Sequence, residues 1–408
     1  MFFFLFNGSL SFWIFLKERF NSHSLISDII ANNQFPSFGP YGDGVVSAFW
    51  NLNIYTNQRH LALSFGLSLL AILIILNPVL KNKKENFKKA ILVGCIMGLL
   101  FLLNMAVFLM TAILLIVLFF LFSKIKKSIM SVLFFAFMFS FPQYLYFQSG
   151  FSTFKVFFNP GYLTSVNLTF FNFIHYWFFN LGLHFILIPI AYLISPKRNK
   201  KILFTFLSLF IIGNLFQFSK EMAANHKFFN YFLIVGVMFS AYAITEMWEK
   251  IKIFRPFLPL LFFILILSGI IDFFPIYNDS KIVLADYPKR EEIKWIMKNT
   301  SKDSIFLNSD YLYNPASLAG RKIFIGWPYF AWSQGYDTLS RDLLRKDILE
   351  NGTLLKICRA PITINYAILS RYEAGDININ RDFFNNNFEK TFQNKQWEIY
   401  KVINTCSR

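Results

Sequence analysis

The sequence predicts an α-helical multi-pass membrane domain of about nine crossings, followed by a small extracytoplasmic α/β domain. Three observations carry that fold class. The chain is 55% hydrophobic, with 55 Phe in 408 residues, well beyond the usage of a soluble domain. Its apolar residues fall in blocks of roughly span length. Four basic loops punctuate those blocks: KNKKENFKK (81–89), KIKK (124–127), PKRNKK (196–201) and EKIKIFR (249–255). Lys and Arg are retained on the cytoplasmic side of a bilayer, so these loops orient every block between them.

The opening block, 1–16, lacks a basic n-region and a cleavage site and reads as a retained helix. The blocks at 61–80, 128–146, 171–194, 202–218, 230–248 and 257–274 read as one span each. The block at 90–122 has basic loops at both ends, which excludes a single crossing. Two short helices turning near Asn104 satisfy it. The amino terminus is then cytoplasmic and the carboxyl terminus outside the cytoplasmic membrane. The polytopic domain covers 1–274 and the outer domain 275–408, which is long enough to fold alone. In that tail, KREEIKWIMKN (289–299) and YDTLSRDLLRKDILE (336–350) have helical spacing. DSIFLN (303–308), RKIFIG (321–326) and TINYAILS (363–370) read as strands. FEKTFQNKQWEIYKV (388–402) reads as a hairpin turning at Asn394 and Lys395. Alternating strands and helices point to α/β.

The net charge of +17 is concentrated in the loops. They carry 15 Lys/Arg with three acids nearby, whereas the tail from residue 272 holds 19 Lys/Arg against 16 Asp/Glu. The basicity therefore serves orientation and contact with anionic membrane lipids, not a nucleic acid. No Asp, Glu, Lys or Arg falls mid-block, which argues against ion-coupled transport. His175 and His184 read as packed or interfacial. Of three cysteines, Cys95 reads as core, while Cys358 and Cys406 read either as one disulfide or as two free thiols. No metal-ligand spacing and no Gly-rich phosphate loop occurs, so no cofactor is indicated and the role of a divalent metal stays open.

Two stretches carry candidate chemistry. The loop SKEMAANHKFFNY places Lys220, Glu221, His226 and Lys227 between two spans. There they present cations to a lipid phosphate and a carboxylate to a proton, or simply face headgroups. Arg59 and His60 open the span at 61–80, as phosphate ligands or interface anchors. In the tail, LAGRKIFIGWPYFAWSQGYDTLSR (318–341) gathers aromatic faces with amide and carboxylate groups. Sugar contact, headgroup contact, interface anchoring and core filling are all open to it.

The order of these features resembles the GT-C superfamily of bacterial membrane glycosyltransferases, close to its protein mannosyltransferase-like group. The resemblance runs from Gly8 to about Lys401. It rests on Gln58-Arg59, Asn225-His226-Lys227, Gly320-Arg321, and Trp332-Ser333-Gln334-Gly335-Tyr336-Asp337 with Arg341. It implies transfer of a sugar from a polyprenyl-phosphate donor to an acceptor at the outer face of the cytoplasmic membrane. Donor phosphate would meet Arg59, His226 and Lys227. Sugar or acceptor would meet Arg321, Trp332, Gln334, Tyr336, Asp337 and Arg341, and Glu221 would be the base. Superfamily members usually carry an acidic first outer loop behind a first span, so the chain reads as a truncated or split gene product lacking its amino-terminal part, or as an inactive relative. An acid also often precedes the Asn-x-Lys element, where this sequence has Ala224. Two alternatives accompany this reading: a non-catalytic binder of lipid-linked glycans, and a lipid or glycan transporter.

Overall fold

In the computed structural model the apolar blocks become helices, and the residues that break them are the polar and small ones. The structure describes residues 1–6, 8–35, 49–50, 52–81, 87–147, 155–164, 167–279, 287–372 and 377–402. Contacts divide the chain into two compact units, one holding the described residues through Asp279 and one those from Tyr287 onward.

The first unit is helical. Besides the short helices Leu25–Ile30 and Asn53–Asn57, it has α1 (Phe2–Leu5), α2 (Phe12–Glu18), α3 (Arg59–Leu80), α4 (Phe87–Leu103), α5 (Met105–Leu121) and α6 (Lys126–Phe147). They continue with α7 (Phe170–Leu181), α8 (His184–Ile194), α9 (Lys197–Leu215), α10 (His226–Lys250) and α11 (Leu258–Tyr277). Among the described residues, four helical stretches are long and apolar enough to cross a membrane: 59–80, 123–147, 222–250 and 258–277. The pair α7 and α8 makes a fifth if it is taken as one bent span.

The block at 90–122 breaks at Asn104, the residue the sequence singles out. Asn104 is extended, and its side chain accepts from the Val107 amide, capping α5. Helices α4 and α6 pack so closely that a Cβ at Gly94 would meet Phe135 and one at Gly98 would meet Phe139. Equal steps along both helices mean that they run parallel, so α5, which joins them in sequence, runs back antiparallel to both. Small residues at such contacts let backbones approach where apolar lipid gives helices no hydrophobic reason to associate.

Two blocks read as continuous are interrupted. The first has α1 and α2 separated by an irregular stretch. There Phe6 lies against Gly269, the Ser268 hydroxyl donates to the Ser9 carbonyl, and the Phe12 amide donates to Ser268 Oγ. The other is bent by 93° between α7 and α8 at Gly182, whose φ of +56 is a left-handed conformation open to glycine. A hydropathy window passes over both breaks, because the few small and polar residues there, Gly8, Ser9 and Ser11 at the first and Gly182 at the second, lie between longer apolar runs.

Tertiary contacts gather the basic loops at one end. Arg198 donates to the Leu80 carbonyl and Lys201 to the Leu121 carbonyl. The parallel α4 and α6 both begin there. Helix α10 packs antiparallel on α9, with Phe210 against Phe232 and Gly213 against Phe228, so Lys250 returns to that end. Lys83, Lys84 and Glu85 lie outside the described residues.

The second unit is a five-stranded sheet in the order β4-β3-β5-β7-β6. It follows a two-stranded ribbon in the first unit, β1 (Phe157–Phe158) with β2 (Phe216–Gln217). Strands β3 (Ile305–Asn308), β4 (Lys322–Ile323) and β5 (Tyr366–Ser370) are parallel, while β6 (Glu389–Gln393) and β7 (Trp397–Lys401) form an antiparallel hairpin beside β5. Asn394 Oδ1 accepts from the Gln396 and Trp397 amides, which fixes the turn where the sequence places it. Alternate strand residues feed two cores. Leu307, Ala367 and Leu369 pack with Ile348 and Leu349 of α14 (Leu339–Asn351). Phe306, Ile368 and Ile399 pack with Ile293 and Ile296 of α12 (Glu291–Asn299). Between them in sequence lies the short α13 (Pro328–Ser333). Cys358 is disulfide-bonded and Cys95 is free, while Cys406 lies outside the described residues.

Candidate functional site

The end of the helical unit away from the basic loops collects the polar residues that the sequence singles out. Helices α3 and α10 both run from that end, in contact through Phe65 and Tyr231, whose rings stack at 4.7 Å. Arg59 lies six residues before this contact and Lys227 four, roughly 9 Å and 6 Å of helix at 1.5 Å per residue. Both cations therefore open on the same end. Arg59 and His60 are exposed there. They sit on the positive pole of α3, so an anion bound to them would also gain from the helix dipole.

The loop before α10 is tied down by Asn225. Its Nδ2 donates to the carbonyls of Gly213 (2.9 Å) and Phe216 (2.7 Å), and its Oδ1 accepts from the Phe218 amide. Tyr162 donates to the Ala223 carbonyl at 3.0 Å. Burial, then the neighbouring Tyr176 and Glu221, push the Tyr162 phenol well above its ordinary value, so it stays a donor.

Glu221 and His226 both make contacts that order the loop. The Glu221 carboxylate accepts from the Ala223 amide at 3.2 Å and caps the short turn Met222–Asn225. His226 is 4% exposed. Its Nδ1 pairs with Asn230 Oδ1 at 2.7 Å and its ring packs on Phe49 at 4.7 Å. This corrects the expectation for His226: a buried, hydrogen-bonded imidazole is spent on structure. Lys227, half-buried, is the remaining cation of the Asn-His-Lys element.

Below Lys227 lies a feature that sequence reading missed. A groove of about 350 Å³ is lined by Met1, Phe3 and Phe4 on one side and by Ile234, Val237, Met238 and Ala241 of α10 on the other. A small void next to it shares Phe4, Ile234 and Val237 and reaches Asn230 and Trp50. At 100° per residue, Lys227, Asn230, Ile234, Val237, Met238 and Ala241 fall on one stripe of α10. The groove thus climbs a single helix face toward Lys227. The 3.6-residue spacing of that stripe was readable in the sequence, but α10 is apolar all round, so periodicity does not separate the groove from the core.

In the second unit the aromatic stretch is on the surface, not in the core. Trp327, Tyr329, Phe330 and Tyr336 are exposed, Phe330 by 63%. Trp332 is half-buried, its ring 5.9 Å from Tyr329, and Gln334 and Arg341 are exposed. Arg321 is not available as a ligand: its guanidinium donates to Thr300 Oγ1 and to the carbonyls of Met297, Ala319 and Thr300. It clasps the C-terminus of α12. Asp337 caps α14, accepting from the Leu339 amide and the Ser340 hydroxyl. The sequence reading passed over Arg345, which is fully buried. It binds Asp342 at 3.0 Å and the Ser309 carbonyl at 2.7 Å, and stacks over Tyr311.

No family model matches the chain, and no curated protein matches it. The two sets of predicted site residues thus stand on their own geometry, one in each unit. Among the described residues, no three His, Cys, Asp or Glu side chains gather as a metal site.

Proposed function

We propose that the chain is a membrane glycosyltransferase of the GT-C type, moving a sugar from a polyprenyl-phosphate donor to an acceptor at the outer face of the cytoplasmic membrane. The observation that carries this reading is the apolar groove on α10, lined from Ile234 to Ala241, on the helix face that Lys227 shares about two turns nearer the helix start. A prenyl chain suits such a groove, and its phosphate then meets a cation. The gathered basic loops support the orientation, since positive loops stay cytoplasmic. Four helical stretches, or five with the bent pair, are long and apolar enough to cross by themselves; this reading adds the interrupted first segment and the shorter α4, α5 and α9 as passages, which makes about nine and puts the sheet unit outside.

In the reaction, an acceptor hydroxyl attacks the anomeric carbon as the bond from that carbon to the phosphate oxygen breaks. Charge grows on the departing lipid phosphate, where Lys227 and Arg59 stabilise it. The hydroxyl proton passes to a carboxylate, and Glu221 is the one this loop supplies. His226 positions the start of α10 through Asn230. A second reading, a binder of lipid-linked glycans that does no chemistry, is favoured by the capping role of Glu221.

The test is transfer by the purified chain from a radiolabelled polyprenyl-phosphate hexose. Lys227→Ala is expected to cut the rate by about 10²-fold, as for loss of one transition-state donor. A wild-type rate in folded Lys227→Ala and Glu221→Ala proteins would refute the mechanism. Donor retention without release of polyprenyl phosphate would establish the second reading instead.

A further inference from the structure

We infer that α7 does not cross the membrane but lies in its plane, sunk into the leaflet away from the basic loops, where it lays an aromatic row against the lipids. Helices α7 and α8 meet at 93°, so with α8 along the membrane normal, α7 runs along the surface. Helix α8 has eleven residues, about 16 Å at 1.5 Å per residue, against the ~30 Å of a hydrocarbon core. A right-angled bend adds none of the length of α7 to that crossing.

The depth of α7 is set by its ties to α9. Trp177 is fully buried; its Nε1 donates to Asn214 Oδ1 at 2.9 Å and its ring packs 4.6 Å from Phe210. Asn214 stands thirteen residues, roughly 20 Å of helix, beyond Lys201, the last charged residue at the basic end of α9. A ~30 Å core therefore reaches about 10 Å past α7, and in-plane amphipathic helices settle about 5–10 Å deep. The Leu10 amide donates to the Phe179 carbonyl at 2.8 Å and fixes the same end of α7. Asn225 binds that turn of α9 too, at Gly213 and Phe216, so α7 and the loop before Lys227 lie at one depth.

The two faces of α7 agree with that depth. Tyr176, Trp177, Asn180 and Leu181 are buried against the unit. On the opposite stripe Phe171, His175 and Phe179, four residues apart, form a row with ring centroids 6.4 and 4.5 Å apart. Phe170 and Phe171 are 82% and 75% exposed. Apolar surface of that kind marks a contact with lipid or protein, and the depth selects lipid. At the acyl boundary the Phe rings are covered by chains, while His175 turns a polar tip toward the headgroups. The inference needs only that the unit spans a bilayer, and it stands apart from the transferase reading.

The experiment is electron paramagnetic resonance on the full chain in phosphatidylglycerol–phosphatidylethanolamine nanodiscs. Single spin labels are placed through Phe171→Cys, His175→Cys and Phe179→Cys in a Cys95→Ser background, which leaves Cys358 in its disulfide. Collision with oxygen is expected to exceed collision with a water-soluble nickel chelate at all three positions, at one common depth of about 5–10 Å. A spanning α7 would instead separate Phe171 from Phe179 by about 12 Å, and that gradient overturns the inference. Free nickel access at His175, which puts the row in water, overturns it as well. So does shielding of the labels from both reagents, which puts a protein partner there. His175 is exposed, so its variant decides between lipid and water even where a Phe variant fails to fold.

Discussion

Arg321 donates to four oxygens of its own unit, and that arrangement decides its role. Its sequence neighbourhood marks it as a ligand, because adjacency to Gly320 says nothing about which carbonyls fold back onto the guanidinium. Arg321→Ala is expected to destabilise its unit by about 2 kcal/mol, since it leaves carbonyls without a charged donor. Hydrogen exchange on the full chain checks this: amides of 291–300 should lose protection, and unchanged protection with lost transfer would return Arg321 to ligand status. Glu398 gives a second residue-scale prediction. Burial raises its carboxyl, but the Lys390 ammonium at 2.9 Å and the Arg381 guanidinium at 2.7 Å outweigh that and hold it below its ordinary 4.5. A depressed folded value stabilises the fold above 4.5, and that contribution is lost as pH falls through the folded value. Protection of β7 should therefore decline below about pH 4.5, and less so in Glu398→Gln. A pH-independent β7 would show that the pairs contribute nothing.

At the scale of elements, helix contacts depend on where small residues fall. Gly98 meets Phe139 of α6, so Gly98→Leu forces α4 and α6 apart and is expected to cost about 1–3 kcal/mol. Gly66 has open space at its Cβ, so Gly66→Ala is expected to be neutral or to stabilise α3 by up to about 1 kcal/mol. Thermal unfolding of the detergent-solubilised chain separates the two; equal effects would mean that the α4–α6 contact is not a stabilising one. On α10, Ile234→Trp fills the groove. Under the proposed function it should raise KM for a long-chain donor more than for a short-chain one, and equal shifts would place the prenyl chain elsewhere. The tail elements were legible because strands and amphipathic helices have distinct periods. The breaks between α1 and α2 and at Gly182 were not, because each depends on a partner far along the chain, Ser268 and Gly269 for the first and Leu10 beside the second.

For the whole molecule, the gathered basic ends make the orientation testable. In a Cys95→Ser background, Asn57→Cys is expected to react with an impermeant maleimide in intact cells, and Lys126→Cys only after permeabilisation. The reverse pattern would invert the chain and move the polar end inside. The candidate site was only partly legible at this scale. Arg59 and Lys227 were marked by their place at the starts of spans, at the ends away from the basic loops. His226 was marked for the same reason and proves to be packed, because its partner Phe49 is remote in sequence. A hollow of about 410 Å³ at the end away from the basic loops also went unread, since its lining residues Asn33, Asn57 and Asp279 belong to three separated segments.

By itself, the sequence determined the class of the protein. Blocks of apolar residues need a bilayer or a core, and clustered Lys and Arg need one watery face, whatever the fold. It also determined the strand and helix order of the tail, where period and turn residues act locally. The tertiary structure alone decided which polar side chains are free. That depends on the hydrogen bonds each meets after packing, as Arg321, Asp337, Glu221 and His226 show. It alone decided as well where a groove or hollow remains, because empty space belongs to no residue and arises only where separate helices fail to close on one another.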